Sequence, residues 1–231
     1  MLWYTGRVKK LTARERVRRT RVTELIRVLK KLYPRAGMAL WHRNHWELLV
    51  AVMLSAQCTD KKVNEVTARL FKKYRTLDGY VHADRRAFER DIHSTGFYRN
   101  KTKNILAAAR MVHGEFGGKV PKTMVDMLSI PGVARKTANV VLGNAYGVVE
   151  GIAVDTHVRR LAIKFDLTDH RDPARIERDL MRLVPKKDWF RFTYLAIEYG
   201  RRVCPGRRHD CAEHPLSKIY PRAARRFPKA G

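Results

Sequence analysis

The stretch LSIPGVARKTANVVLGNAYG, residues 128 to 147, sets a Pro-Gly turn between two short apolar segments and puts one lysine at the head of the second. Pro131 cannot extend the helix before it, and Gly132 lets the backbone turn tightly and offer its amide. Two helices joined in this way leave unsatisfied N–H groups at the start of the second, where amides and helix dipole together suit a phosphate. Ala138, Val141, Leu142 and Ala145 form the apolar stripe of that helix at i, i+3, i+4 and i+7. Lys136 lies about 200° around the wheel from Ala138, away from the stripe. A solvated lysine beside a plain turn satisfies this pattern, and so does a reactive amine beside a bound phosphate. The segment alone leaves both readings open.

The rest of the chain favours a helical nucleic-acid binder. Its 231 residues are 45% hydrophobic, enough for a real core, while 49 Lys and Arg against 22 Asp and Glu give a net charge of +27. A balance so far from neutrality favours nucleic acid or an anionic membrane surface. Residues 1–37 carry 12 basic and 2 acidic side chains and residues 200–231 carry 9 and 2, so the two ends hold +17 of the charge. They read as an electrostatic grip. No apolar run of about 18 residues could span a bilayer, and the start MLWYTGRVKKLTARERVRR has no signal-peptide core. The expected location is the cytoplasm, associated with the nucleoid. Three cysteines in such a chain make no disulfide framework.

Helical spacing recurs along the sequence. TRVTELIRVLKKLYP sets Val22, Leu25, Ile26 and Leu29 in register and stops at Pro34. TDKKVNEVTARLFKKY repeats the pattern through Val63, Val66, Leu70 and Phe71, with Thr59 or Asp60 as N-cap. Further helices are expected in KTKNILAAARMVHGEF, TMVDMLSI, DWFRFTYLAIEYGRRV and DPARIERDLMRLVP, the last opening with Asp172 as cap and Pro173 at its first position. No hairpin dipeptide sits between alternating apolar runs, and no repeat of 20–50 residues appears. The fold class is all-α. In GIAVDTHVRRLAIKFDL, the register of Val158, Leu161, Ala162 and Phe165 puts Asp155 at a helix N-terminus. There it can cap, and a capping carboxylate can also stabilise a nearby cation or accept a proton.

Four segments in this order, LSAQCTD (54–60), TGFYRNKTKNI (95–105), IPGVARKTANVV (130–141) and IAVDTHVRRLA (152–162), resemble the motif set of the endonuclease III family of DNA glycosylases, within the helix-hairpin-helix glycosylase superfamily. The resemblance covers roughly residues 20–220. It implies two helical domains with the active site in the cleft between them: a six-helix barrel carrying the helix-hairpin-helix over 38–150, and a second domain formed by 1–37 and 151–231. It implies a bifunctional DNA glycosylase and AP lyase of base excision repair, acting as a monomer on double-stranded DNA that holds a damaged base, an oxidised pyrimidine, or an abasic site. Lys136 takes the catalytic lysine position and Asp155 the catalytic aspartate position. Relatives that only remove bases tend to carry serine or tyrosine where this chain has Lys136.

By the same resemblance, Gln57 enters the gap left by the flipped nucleotide and Phe97 wedges opposite it. Their plain alternatives are a polar loop residue and a core aromatic. Gly132, Val133, Ala134 and Arg135 form the phosphate-binding hairpin, and His157 orients substrate or makes a local hydrogen bond. Ala134 departs from the family's second hairpin glycine, and its methyl is strained if the backbone there needs a positive φ. Two other classes stay open: a non-catalytic helix-hairpin-helix DNA-binding protein, which needs neither Lys136 nor Asp155, and a same-family glycosylase for mismatched or dimerised pyrimidines.

Members of the family commonly carry a [4Fe-4S] cluster on four cysteines in the frame C-x6-C-x2-C-x5-C. This chain keeps Cys204 and Cys211, but His214 and Tyr220 stand at the third and fourth positions. The expectation is no cofactor, with the iron-sulfur cluster absent and no metal bound. Arg207 and Arg208 remain in the loop to touch phosphates. Alternatives are zinc on Cys204, His209, Cys211 and His214, and a Cys204–Cys211 disulfide.

Overall fold

The structure, a computed structural model, describes residues 10–207, 209, 211 and 214–226, with the backbone alone for 225 and 226. It is all-α, and no β-strand forms among the described residues. Twelve α-helices follow in order among the described residues: α1 (Ala13–Leu32), α2 (His45–Leu54), α3 (Asp60–Lys73), α4 (Leu77–Val81), α5 (Arg85–Ile92), α6 (Tyr98–Glu115), α7 (Met124–Ser129), α8 (Arg135–Tyr146), α9 (Thr156–Lys164), α10 (Pro173–Leu183), α11 (Trp189–Arg202) and α12 (Arg222–Arg226). None is long and apolar enough to cross a membrane. The chain divides into two compact units, one of residues 38–153 and the other of the two ends, up to 37 and from 154.

Within the unit of residues 38–153, α2 is the central helix. Every residue from Trp46 to Leu54 is buried, so it has no polar face and carries no amphipathic stripe for a sequence to show. Helices α3, α6 and α8 pack against it. The stripe expected on α8 is realised at Ala138, Val141 and Leu142, all fully buried. Thr59 caps α3 through Lys62 N at 3.3 Å.

In the unit formed by the ends, α1 packs on α10 and α11, and α9 on α10 and α11. Helix α1 begins well before the first apolar pair of its stripe. Thr12 and Glu15 form a capping box that starts it among charged residues. Its arginines then bind inward. Arg18 donates to Asp166 at 3.0 Å and to Asp169 at 2.8 Å, Arg14 to Asp169 at 2.7 Å, and Arg21 to the carbonyls of Phe165 and Asp166 at 2.9 Å. Part of the basic charge at this end therefore fastens α1 to the turn after α9.

Candidate active site

The hairpin lies in the unit of residues 38–153. Helix α7 ends at Ser129, Val133 N donates to Ile130 O at 3.0 Å, and Gly132 closes the turn at φ +80°. A Cβ built on Gly132 would meet the Asn104 Cβ at 2.7 Å, so both the dihedral and the close approach require glycine. Val133 is buried and anchors the turn in the core. Ala134 stands at φ −96°, ψ 169° as the N-cap of α8. Extended backbone of this kind costs an alanine nothing, so the strain expected of its methyl does not arise. Among the described residues no side chain caps α8, unlike α1 to α5, and its first amides sit beside exposed Arg135 and Lys136. Such an uncapped, exposed helix start suits an anion. The Arg135 guanidinium also reaches the Glu150 carbonyl at 3.4 Å.

Next to the turn is a cavity of about 260 Å³ lined by Met53, Ala56, Gln57, Phe97, Asn100, Lys101, Asn104 and Gly132. It gathers Gln57, Phe97 and Gly132 from three separate motifs. Gln57 and Phe97 both hold left-handed backbones, at φ 53° and 48°, which cost a non-glycine residue energy and mark over-determined positions. Phe97 is 66% exposed and so is no core aromatic.

Sequence reasoning missed the residues that brace this cavity. Lys101 is buried, and its Nζ donates to the carbonyls of Leu54 at 2.7 Å and Thr95 at 2.8 Å. Burial pushes its pKa down. Asn104 packs on Gly132. Both stand in TGFYRNKTKNI, each directly before a buried residue of α6, Thr102 and Ile105, and only the tertiary fold distinguishes them from surface positions.

Asp155 belongs to the other unit. It is the N-cap of α9, half-buried, with Oδ1 accepting from Val158 N at 2.8 Å. His157 Nδ1 lies 2.9 Å from Arg160 Nη2, and Arg160 donates to the Cys204 carbonyl through Nε at 3.1 Å and Nη2 at 2.9 Å. His157 thus has the local hydrogen bond that was one of its two readings. Helix α11 comes so close that a Cβ on Gly200 would fall 2.1 Å from His157 Nδ1. Arg207 is exposed, and Arg208 lies outside the described residues.

The expectation of no cofactor and no metal is corrected. Cys204, His209, Cys211 and His214 each present a ligand atom, and all four atoms lie within 4.8 Å of one another. Hydrogen bonds hold His214 beside Cys211: His214 N donates to the Cys211 carbonyl at 3.4 Å, Ser217 N to the His214 carbonyl at 2.8 Å, and Ser217 Oγ to the Cys211 carbonyl at 2.8 Å. These are the four residues of the zinc alternative; the four-cysteine frame leaves out His209, which falls inside its first interval. Tyr220, at the frame's fourth position, instead has its ring 3.9 Å from the Arg21 guanidinium carbon. The donor set is two thiols and two imidazoles, which does not match a cubane held by four thiolates.

The HhH-GPD superfamily base excision DNA repair protein model matches residues 50–186. Endonuclease III of Synechocystis sp. is 50% identical over 206 residues, 89% of this chain and 94% of that relative. Endonuclease III of Bacillus subtilis is 43% identical over 189 residues, 81% and 86% of the two chains. A solved structure of a trapped endonuclease III–DNA covalent intermediate matches with a TM-score of 0.85 at 38% identity, over 95% of this chain and 100% of that one. The chain belongs to the HhH-GPD superfamily of base excision DNA repair proteins and, within it, to the endonuclease III family. It is a DNA glycosylase with AP lyase activity.

Proposed function

We propose that the protein removes an oxidised pyrimidine from double-stranded DNA through a Schiff base on Lys136 and then cuts the strand by β-elimination. The observation that carries this reading is Lys136 exposed on the first turn of an uncapped helix, directly after the Gly132 turn. A glycosylase must take its nucleotide out of the stack, because the reacting carbon cannot be reached within the duplex. Amides at the start of α8 hold a phosphate of the distorted strand, while Gln57 and Phe97 fill the space that the nucleotide vacates. The Lys136 amine, as free base, attacks C1′ and the glycosidic bond breaks, its electrons leaving with the base, which takes up a proton. The sugar ring opens to an imine between Lys136 and C1′. The imine acidifies the C2′ proton, whose loss pushes electrons to C3′ and expels the 3′ phosphate, and hydrolysis then frees the lysine. Asp155 stabilises positive charge on the sugar and relays protons.

The similar solved complex is of endonuclease III trapped covalently on DNA, which supports a covalent route here. Borohydride should trap this protein on a duplex with an abasic site, and Lys136→Ala should abolish the adduct. Undiminished trapping in that variant removes Lys136 from the role. A panel of duplexes, each with one oxidised, mismatched or dimerised pyrimidine, identifies the lesion, and an oxidised pyrimidine should be excised fastest.

A further inference from the structure

We propose that Cys204, His209, Cys211 and His214 bind a single zinc ion in a closed site that fastens the C-terminal loop to α9 and α11. Cys204 and Cys211 form no disulfide and are buried, and His214 is buried too. Zinc takes a tetrahedral set of thiolate and imidazole ligands at about 2.3 Å and 2.0–2.1 Å, which places neighbouring donors roughly 3.3–3.8 Å apart. The four donor atoms here lie within 4.8 Å of one another, and Cys211 Sγ is 3.2 Å from His209 Nε2. That close sulfur–nitrogen approach suits two ligands sharing one ion. A two-iron cluster with the same residue types would put thiolates on one iron and imidazoles on the other, and so hold them apart.

The surroundings hold the donors in place. His209 Nδ1 is 2.6 Å from the Arg207 carbonyl. A carbonyl only accepts, so Nδ1 donates there and Nε2 is the ring atom turned to the sulfur; a backbone carbonyl on the far ring nitrogen is the usual support of a ligating histidine. Lys164 is 1% exposed and directs its Nζ to Cys211 Sγ at 2.7 Å and Cys204 Sγ at 3.1 Å. Two thiolates balance the dication, two neutral imidazoles complete the tetrahedron, and no position is left for water. The site is structural by that criterion. Its mechanical link is short: the Cys204 carbonyl holds Arg160, which holds His157, two residues after Asp155.

Metal analysis of the whole protein, purified without oxygen from cells supplied with both iron and zinc, should give about one zinc per chain and a colourless solution. About two or four irons per chain, with colour, would overturn the assignment. After zinc is removed, cobalt(II) should restore the intense visible bands of a tetrahedral ion together with a thiolate charge-transfer band. Failure to take up either metal also overturns it. His209 is the most accessible ligand, so His209→Ala should fold and should lose metal to a chelator at least roughly 10-fold more readily. Tyr220→Phe should keep its metal. If Tyr220→Phe loses metal while His209→Ala retains it, the ligands are those of the cysteine frame and the proposal fails.

Discussion

The Lys101 ammonium donates to the carbonyl of Leu54, the last residue of α2, at 2.7 Å, and with a second bond at 2.8 Å to Thr95 O it ties together two loops that are distant in sequence. One loop carries Gln57 and the other Phe97, the two residues held in left-handed backbone beside the cavity. Lys101→Met should leave both buried carbonyls without that donor and lower stability by about 1–3 kcal/mol. The loss should exceed that of an exposed control such as Lys103→Met by thermal unfolding. Single-turnover base excision should slow as well, while borohydride trapping on a pre-formed abasic site, which needs no base removal, should suffer less. Equal stability of the two variants would show that Lys101 pins nothing.

Gly132 sits at φ +80° with the Asn104 side chain in the space that a Cβ would take. Gly132→Ala adds both left-handed strain, on the order of 1–2 kcal/mol, and a clash. Adding Asn104→Gly relieves only the clash. The double variant should therefore recover part of the lost stability and not all of it, measured as a double-mutant cycle in denaturant. Full recovery would mean that the dihedral carries no cost. Ala134→Gly should not tighten DNA binding, since the backbone there is already extended.

The hairpin was legible because its determinants are local: a proline, a glycine and a stripe at helical spacing. Asp155 as a cap was legible for the same reason. Helix α2 was not, since a segment buried on every side shows no periodicity. Lys101 was not, because lysines are overwhelmingly exposed and only the fold reveals one with two carbonyls waiting for it. The residues around Cys204 were legible as ligand types, His209 among them, but the four-cysteine spacing set the expectation of no metal, because spacing alone does not show that the four donor atoms lie within 4.8 Å of one another.

The Arg18–Asp169 pair gives the acid limb of stability. Hydrogen bonds from Arg18, helped by the charges of Arg18 and Arg14, hold the Asp169 carboxyl below the usual aspartate range. The folded value is depressed, so the unfolded chain binds the proton more readily. The pair's contribution is complete above the ordinary aspartate pKa near ~3.9 and is lost as pH falls through the lower folded value. Asp169→Asn should flatten the fall in stability below about pH 4 and change it by less than about 1 kcal/mol at neutral pH, because the carboxylate is half exposed to solvent. A wild-type acid slope in the variant would assign that slope to other carboxylates.

Asp155 can be separated into its two roles because asparagine and aspartate cap helices about equally well. Its Oδ1 accepts from Val158 N at 2.8 Å, an acceptor role that an asparagine carbonyl can fill. Asp155→Asn should therefore keep the stability of α9 while removing the carboxylate that the proposed mechanism uses. Base excision should fall by roughly 100-fold or more, the scale of a lost general acid–base group, with duplex affinity nearly unchanged. Asp155→Ala should lose the same activity and, in addition, about 0.5–2 kcal/mol of stability for the missing cap. Thermal unfolding and single-turnover excision on both variants decide the matter. If activity falls only in step with stability across the pair, Asp155 is a cap and nothing more.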